Sequence, residues 1–298
     1  LLPALALIYL FGNQGMLRWI MDGGSIYGPW GIVGAQIFYC FPAATIILAV
    51  ALSTADGRLY EAAEALKASR FRIFLTVTLP GAVYGLVSAA VVVFTLVVTD
   101  FGIPKVIGGQ FNVLATEVYK QVVGRQDLNM GAVVGMVLLV PAILAFLLDR
   151  WALTKKSATL SGRAVPYRPK PRAARDHPAF LLCLTIALTL IGIVGVAVWG
   201  SLIRFWPYNL ALTLDNYDFS RFDTAGWQAV WLSIKFSLIT AVLGTALVFI
   251  IAYSLERGPR SGFLAGPLRF LATIPLAVPG LVLGLAYIIF FNAPGNPL

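Results

Sequence analysis

The chain has 298 residues, of which 59% are hydrophobic and only 12% are charged, and its formal net charge is +9. Ordinary soluble domains have roughly 25% charged residues, so this composition excludes a typical water-soluble globular enzyme. One histidine and two cysteines offer no convincing ligand set for a metal, and we expect no metal site.

Long runs without charge predict membrane-spanning helices, because about 20 apolar residues cross a bilayer core of roughly 30 Å. A partial span is predicted at residues 1–11. Six whole spans are predicted at 29–53, 79–99, 128–149, 178–203, 227–255 and 270–292. The expected fold class is therefore an all-α polytopic membrane protein, with one partial and six whole spans.

The basic residues orient these spans. The loops between the predicted spans fall into two sets that alternate along the chain. The first set, 54–72, 149–177 and 256–269, contains fifteen basic and six acidic residues. Six basic and seven acidic residues lie in the other set, 12–28, 100–127 and 204–226. Because basic loops are retained in the cytoplasm, the first set is predicted to be cytoplasmic. This distribution explains the positive charge without a nucleic-acid partner.

Cytoplasmic loop 56–80 is predicted to contain a short amphipathic helix, with Asp56 as its cap. Its apolar face comprises Leu59, Ala62, Ala63 and Leu66. This narrow, alanine-rich stripe suits a groove on another protein better than deep insertion into lipid.

Within this loop, Glu61-Ala62-Ala63 is followed by Val77-Thr78-Leu79-Pro80. The spacing resembles the EAA loop of bacterial ABC importer permeases, although Lys67 stands at the usual glycine position and leaves the turn after the helix open. The resemblance implies a type I ABC importer permease (MetI-like) fold with parallel six-helix repeats. It also implies a coupling helix whose ATPase-coupling residues are Glu61, Ala62, Ala63, Leu66 and Lys67.

The sequence contains no phosphate-binding G-x-x-x-x-G-K-[ST] loop. ATP and Mg²⁺ are therefore expected on a partner ATPase subunit, and this chain is expected to be a transport subunit without catalysis or a cofactor of its own.

An internal similarity and a basic, proline-rich segment suggest two modules. Residues 3–11 resemble residues 283–291 at an offset of 280, with six spans per period. We predict that residues 1–150 are the C-terminal part of a first permease module, 151–177 a cytoplasmic linker, and 178–298 the N-terminal part of a second. The sequence is expected to be a piece of a longer polypeptide.

The outer loop around Thr99-Asp100-Phe101-Gly102-Ile103-Pro104 resembles that of fused two-module permeases for ferric iron and phosphonates. The run 75–150, the end of the linker at Ala164-Val165-Pro166-Tyr167 and the loop 207–217 are most similar to the 2-aminoethylphosphonate branch. This similarity implies a bacterial inner-membrane permease supplied by a periplasmic solute-binding protein. Ferric iron, thiamine or another small solute is the alternative cargo. An ion-coupled secondary transporter and a membrane sensor without a transport path are the competing classes.

Three polar residues are candidates for the solute path or a gate: Asp100, Gln36 and Thr45. An acid at the C-terminal end of a helix opposes the helix dipole, so Asp100 is either a functional group facing a cavity or a solvated boundary acid beside Lys105. Gln36 and Thr45 either line the path or form interhelical hydrogen bonds.

Overall fold

The computed structural model describes residues 1–157, 165, 167, 171–221, 226–257 and 278–292. The chain folds into two compact units, which we describe separately. One unit comprises residues 1–197 and 277–298, and the other comprises residues 198–276.

The secondary structure is almost entirely helical. In chain order the α-helices are α1 Leu2–Phe11, α2 Pro29–Ser53, α3 Gly57–Ala65, α4 Arg70–Ile73, α5 Leu79–Thr99, α6 Gly102–Ile107, α7 Leu114–Tyr119, α8 Leu128–Ser157, α9 Ala173–Ser201, α10 Gly226–Arg257 and α11 Gly280–Phe291. The shorter elements are 3₁₀ turns at Arg18–Met21, Asp215–Tyr217 and Phe219–Arg221, π turns at Phe74–Thr78 and Lys120–Gly124, and strands β1 Ile203–Phe205 and β2 Asn209–Leu212.

Five predicted spans are confirmed as helices that are long and apolar enough to cross a membrane: Pro29–Ser53, Arg70–Thr99, Leu128–Leu148, Ala173–Ser201 and Gly226–Leu255. The apolar helices α1 and α11 are shorter.

The sixth predicted span, 270–292, is interrupted at Pro279. This residue adopts an extended backbone, φ −58° and ψ 133°, and α11 begins at Gly280. Proline cannot donate the backbone hydrogen bond that a helix interior requires, and it favours a helix start. Residues 270–277 lie outside the described part of the chain.

The segment predicted as linker, 151–177, is helical at both ends, since α8 continues to Ser157 and α9 begins at Ala173. Between these helices the structure describes Val165, Tyr167 and residues 171–172.

In the first unit, α5 lies between α2 and α8, α1 and α6 pack on α2, and α7 and α11 pack on α8. One buried cluster comprises Ala4, Leu7, Ile32, Ala35, Ile103 and Ile107, and a second comprises Ala115, Val118, Leu138 and Leu285. Small residues let these helices approach closely, as membrane helix packing requires. A Cβ atom added at Gly85 would collide with Ala51 across the α2–α5 contact.

The second unit carries a small two-stranded sheet that the sequence did not predict. Strands β1 and β2 pair antiparallel, and the side-chain amide of Asn216 donates hydrogen bonds to the carbonyl oxygens of Ser201 and Ile203, at 3.0 and 2.7 Å. The exposed surface of α10 is rich in large apolar side chains, as expected for a helix that faces lipid.

Candidate functional site

Helix α3 forms the first part of the predicted coupling loop and has a well-formed start. The Asp56 carboxylate accepts a hydrogen bond from the backbone N–H of Arg58 at 3.1 Å. This contact satisfies one of the backbone donors that a helix leaves unpaired at its N-terminus. The cap predicted at Asp56 is therefore confirmed.

The turn after α3 is built around Lys67, whose φ of +54° lies in the left-handed region. The N–H of Lys67 donates to the carbonyl of Glu64 at 2.9 Å, and the N–H of Ala68 donates to the carbonyl of Ala63 at 3.0 Å. This pair of bonds is a Schellman motif, which normally has glycine in the left-handed position. The turn that the sequence left open thus has the geometry of the glycine turn, with lysine in its place.

The apolar face of α3 is largely uncovered. Leu59 is 57% exposed and Leu66 is 82% exposed, while Ala62 is exposed and Ala63 is half-buried. These four residues recur at spacings of three and four, so they form one stripe along the helix. The predicted coupling residue Lys67 is also exposed, at the end of this stripe.

The opposite face of α3 packs against the protein. Tyr60 is only 8% exposed, and its hydroxyl donates a hydrogen bond to Thr78 Oγ1 at 3.0 Å. Its ring stacks on the ring of Tyr167, with the centroids 3.9 Å apart and the planes 13° from parallel. Sequence reasoning missed both tyrosines, because a single sequence carries no mark of a contact between residues 107 positions apart.

A cavity of about 1120 Å³ lies beside this packed face. Charged residues of both signs contribute to its wall: Arg58, Glu61, Glu64, Arg70, Arg172 and Arg175. Glu61 therefore lies on the cavity side of α3, whereas Leu66 lies on the exposed apolar side. The predicted coupling residues occupy two faces of the helix.

The end of the loop joins α5 through the π turn at Phe74–Thr78. The backbone N–H of Leu79 donates to the carbonyl of Phe74, five residues earlier. Pro80 follows immediately and has no N–H to donate. The π turn accommodates this proline without ending the apolar helix, so the last residue of the motif shapes the junction between loop and span.

Two of the three candidates for the solute path meet at the C-terminal end of α5. The buried side-chain amide of Gln36 lies 3.5 Å from the Asp100 carboxylate and donates a hydrogen bond to it. Thr45 is exposed nine residues further along α2. Nine residues correspond to two and a half helical turns, which puts Thr45 on the opposite face and about 13 Å away along the axis. The structure does not bring Thr45 to the other two.

Lys105, the expected neighbour of Asp100, has its ammonium over the ring of Tyr119, 5.0 Å from the centroid. This is the geometry of a cation–π contact. Within the described residues, Lys105 and Asp100 form no ion pair.

Comparison with known proteins assigns this chain to a family. Residues 1–156 match the binding-protein-dependent transport system inner membrane component family. The chain belongs to this family. It is an ABC importer inner-membrane permease of the binding-protein-dependent type, with a multi-pass helical fold in the bacterial inner membrane.

Several curated proteins resemble this permease chain. It is 30% identical to a ferric transport system permease protein of Actinobacillus pleuropneumoniae, over 91% of this chain and 40% of that protein. It is 29% identical to a ferric transport system permease protein, itself named as putative, of Haemophilus influenzae, over 90% of this chain and 43% of that protein. It is 27% identical to the thiamine transport system permease protein of Salmonella typhimurium, over 98% and 55% respectively.

The permease chain therefore spans about half the length of the curated relatives that it matches. No solved structure gives a significant match to it.

Proposed function

We propose that this chain is part of the transmembrane permease of an importer and that α3 is the helix through which a separate ATPase drives it. The uncovered stripe Leu59–Ala62–Ala63–Leu66 carries this proposal. The helix bearing the stripe is fixed by a cap, a Schellman turn and a buried tyrosine, yet two of its large apolar side chains remain open to a partner.

The proposed mechanism needs no chemistry from this chain. ATP binding and hydrolysis by the partner move α3, and the α4–α5 segment transmits this movement to the spans. Repacking of the spans then changes the side of the membrane from which solute has access. A periplasmic solute-binding protein delivers the solute at the outer face, in keeping with the binding-protein-dependent family.

Copurification of the native full-length chain with its co-expressed ATPase tests the role of α3. We expect Leu66→Glu to reduce ATPase retention and uptake, because it places a charge in the apolar contact. Leu66→Met keeps an apolar side chain of similar volume and serves as the matched control. Normal retention and transport with Leu66→Glu would exclude the stripe as the contact.

Glu61→Lys tests the cavity face of the same helix. We expect it to leave membrane insertion intact and to weaken ATPase association and uptake, because it reverses a charge beside the contact. Unchanged assembly and transport in this variant would remove Glu61 from the interface without affecting the assignment of Leu66.

For the cargo we propose 2-aminoethylphosphonate or a related phosphonate. The support is the resemblance of the run 75–150, the linker end 164–167 and the loop 207–217 to that branch of fused permeases. Relatives named as ferric and thiamine permeases make these two solutes the main alternatives.

Uptake into vesicles containing the native permease, its ATPase and its binding protein decides among these solutes. Labelled 2-aminoethylphosphonate is competed with phosphate, ferric iron and thiamine. We expect excess unlabelled 2-aminoethylphosphonate to reduce uptake of the label, and the other three solutes to leave it unchanged. If the vesicles instead take up ferric iron or thiamine in an ATP-dependent manner, that solute replaces the phosphonate as the assigned cargo.

A further inference from the structure

We propose that Val165 and Tyr167 are positioning residues that fasten the linker to the start of the coupling helix and so connect α3 with α9. The inference rests on the proposed coupling function of α3. In addition to its contact with the π turn through Thr78, α3 is then also attached to the segment of the chain that leads into α9.

The first observation is a reciprocal pair of backbone hydrogen bonds. The N–H of Gly57 donates to the carbonyl of Val165 at 2.8 Å, and the N–H of Tyr167 donates to the carbonyl of Ala55 at 3.2 Å. Gly57 is the first residue of α3, whose N–H has no partner within the helix. The linker therefore supplies the acceptor that the helix start lacks.

The close approach at this point depends on glycine. A Cβ atom added at Gly57 would lie 3.3 Å from both the α-carbon of Tyr167 and the Val165 carbonyl oxygen. Such contacts are tighter than most that a Cβ atom makes, so a larger side chain would displace the linker. The residue at position 57 thus permits both the helix start and its pairing with the linker.

The second observation is the stacked pair of Tyr60 and Tyr167 described above. An aromatic stack adds to the free energy gained from burial alone. Because the Tyr60 hydroxyl also donates to Thr78, this residue joins three segments: the linker, α3 and the π turn that leads into α5.

The sequence distance from Tyr167 to α9 makes this attachment mechanically relevant. Only six residue steps separate Tyr167 from Ala173, where α9 begins, and six steps reach at most about 21 Å when fully extended. A displacement of α3 by the ATPase must therefore carry the linker with it or break the contact. While the contact holds, α3 therefore cannot move farther from the start of α9 than this length of chain allows.

A cross-link tests whether the contact exists in the membrane. In the native full-length chain with Cys40 and Cys183 replaced by alanine, we expect the pair Ala55→Cys and Tyr167→Cys to form a disulfide under mild oxidation, because the N–H of Tyr167 donates to the carbonyl of Ala55 at 3.2 Å. The control pair Leu66→Cys and Tyr167→Cys should not, because Leu66 lies at the far end and on the opposite face of α3. Equal yields from the two pairs would overturn the proposal.

Coupling efficiency tests what the contact does. The assay uses vesicles that contain the ATPase and the binding protein. We expect Tyr167→Ala to retain the ATPase but to lower the amount of solute imported per ATP hydrolysed by about two- to tenfold. This is the factor by which loss of one aromatic pair typically lowers the ratio of attached to detached linker. The transported probe is whichever of 2-aminoethylphosphonate, ferric iron and thiamine the competition selects. Tyr167→Phe keeps the ring and should match the wild type.

Gly57→Pro provides a second variant that does not depend on the aromatic ring. Proline is favoured at the first position of a helix, so α3 should persist while the N–H donor to Val165 is lost. Val165→Ala keeps the carbonyl acceptor and is its control. We expect Gly57→Pro to reproduce the Tyr167→Ala effect and Val165→Ala to leave coupling unchanged.

The outcomes separate the two proposals. If wild type retains the ATPase and both Tyr167→Ala and Gly57→Pro import a normal amount of solute per ATP, the positioning role is refuted and the coupling function of α3 stands. If the wild-type chain does not retain the ATPase at all, the proposed function fails, and the positioning role fails with it.

Discussion

The side-chain amide of Gln36 on α2 donates a hydrogen bond to Asp100 Oδ2, 64 positions later, across 3.5 Å. The other carboxylate oxygen of Asp100 accepts from the N–H groups of Gly102 and Ile103 at 3.0 and 3.4 Å. These backbone donors offset the unfavourable position of an acid at the C-terminal end of α5. Asp100 thus joins α2, α5 and α6 at the C-terminal end of α5.

This geometry favours a structural role for Asp100 and predicts different results for two substitutions. Asn at position 100 keeps an oxygen that accepts from the two N–H groups, so Asp100→Asn should assemble and transport nearly as wild type. Asp100→Ala removes that acceptor and should lower stability by about 1 kcal/mol, the usual cost of losing a side-chain cap. The midpoint of thermal unfolding in detergent and vesicle uptake measure the two effects. Normal assembly of Asp100→Asn with abolished uptake would assign the carboxylate to the solute path instead.

Two glycines one helical turn apart on α5 provide a matched test of helix packing. Gly85 is buried against Ala51, whereas a Cβ atom at Gly81 would meet nothing within 4 Å in the described structure. We expect Gly85→Val to separate α2 from α5 and lower the thermal midpoint and the folded yield, by a free energy of roughly 1–3 kcal/mol as for other overpacked sites. Gly81→Val should have little effect. Similar losses in both variants would contradict the α2–α5 contact.

The sequence predicted the parts of this fold that hydropathy and local capping determine. Five long helices and the helix after Asp56 are found where charge-free runs and capping chemistry indicate them. Hydropathy alone does not set every boundary: the apolar run 270–292 has no charge to mark one, and the backbone of Pro279 starts α11 at Gly280. The pair of strands β1 and β2 was missed because its residues lie in a loop without a strong alternating pattern.

The candidate site was only partly predictable, because local patterns in the sequence do not show contacts between residues that are far apart in the chain. Spacing placed Leu59 and Leu66 on one face of α3, since helical periodicity alone determines it. Tyr60 and Tyr167 meet only through tertiary structure, and no local pattern pairs them. Gln36 and Asp100 were each singled out as polar residues in an apolar setting, yet their contact was not foreseen.

Lys67 gives a prediction about the turn that ends the coupling helix. A left-handed residue other than glycine is strained by roughly 1–2 kcal/mol, so Lys67→Gly should preserve or slightly strengthen the turn. Lys67→Val should weaken it, because a β-branched side chain tolerates this conformation poorly. Hydrogen–deuterium exchange of the Lys67 and Ala68 amides reports directly on the two Schellman bonds. Equal protection in the glycine and valine variants would show that the turn does not require the left-handed geometry.

The hydrogen bond between Tyr60 and Thr78 gives the final prediction. Tyr60→Phe and Thr78→Val each remove one partner of the 3.0 Å contact, and each should destabilise the attachment of α3 by about 0.5–1.5 kcal/mol, the usual net value of such a bond. Because the two groups share one interaction, the double variant should cost less than the two single effects added together. Exchange protection of the α3 amides measures all three variants, and Thr76→Val, which alters a separate bond to the Arg72 carbonyl, is the control. Strictly additive effects of Tyr60→Phe and Thr78→Val would mean that the bond does not hold α3 to the π turn.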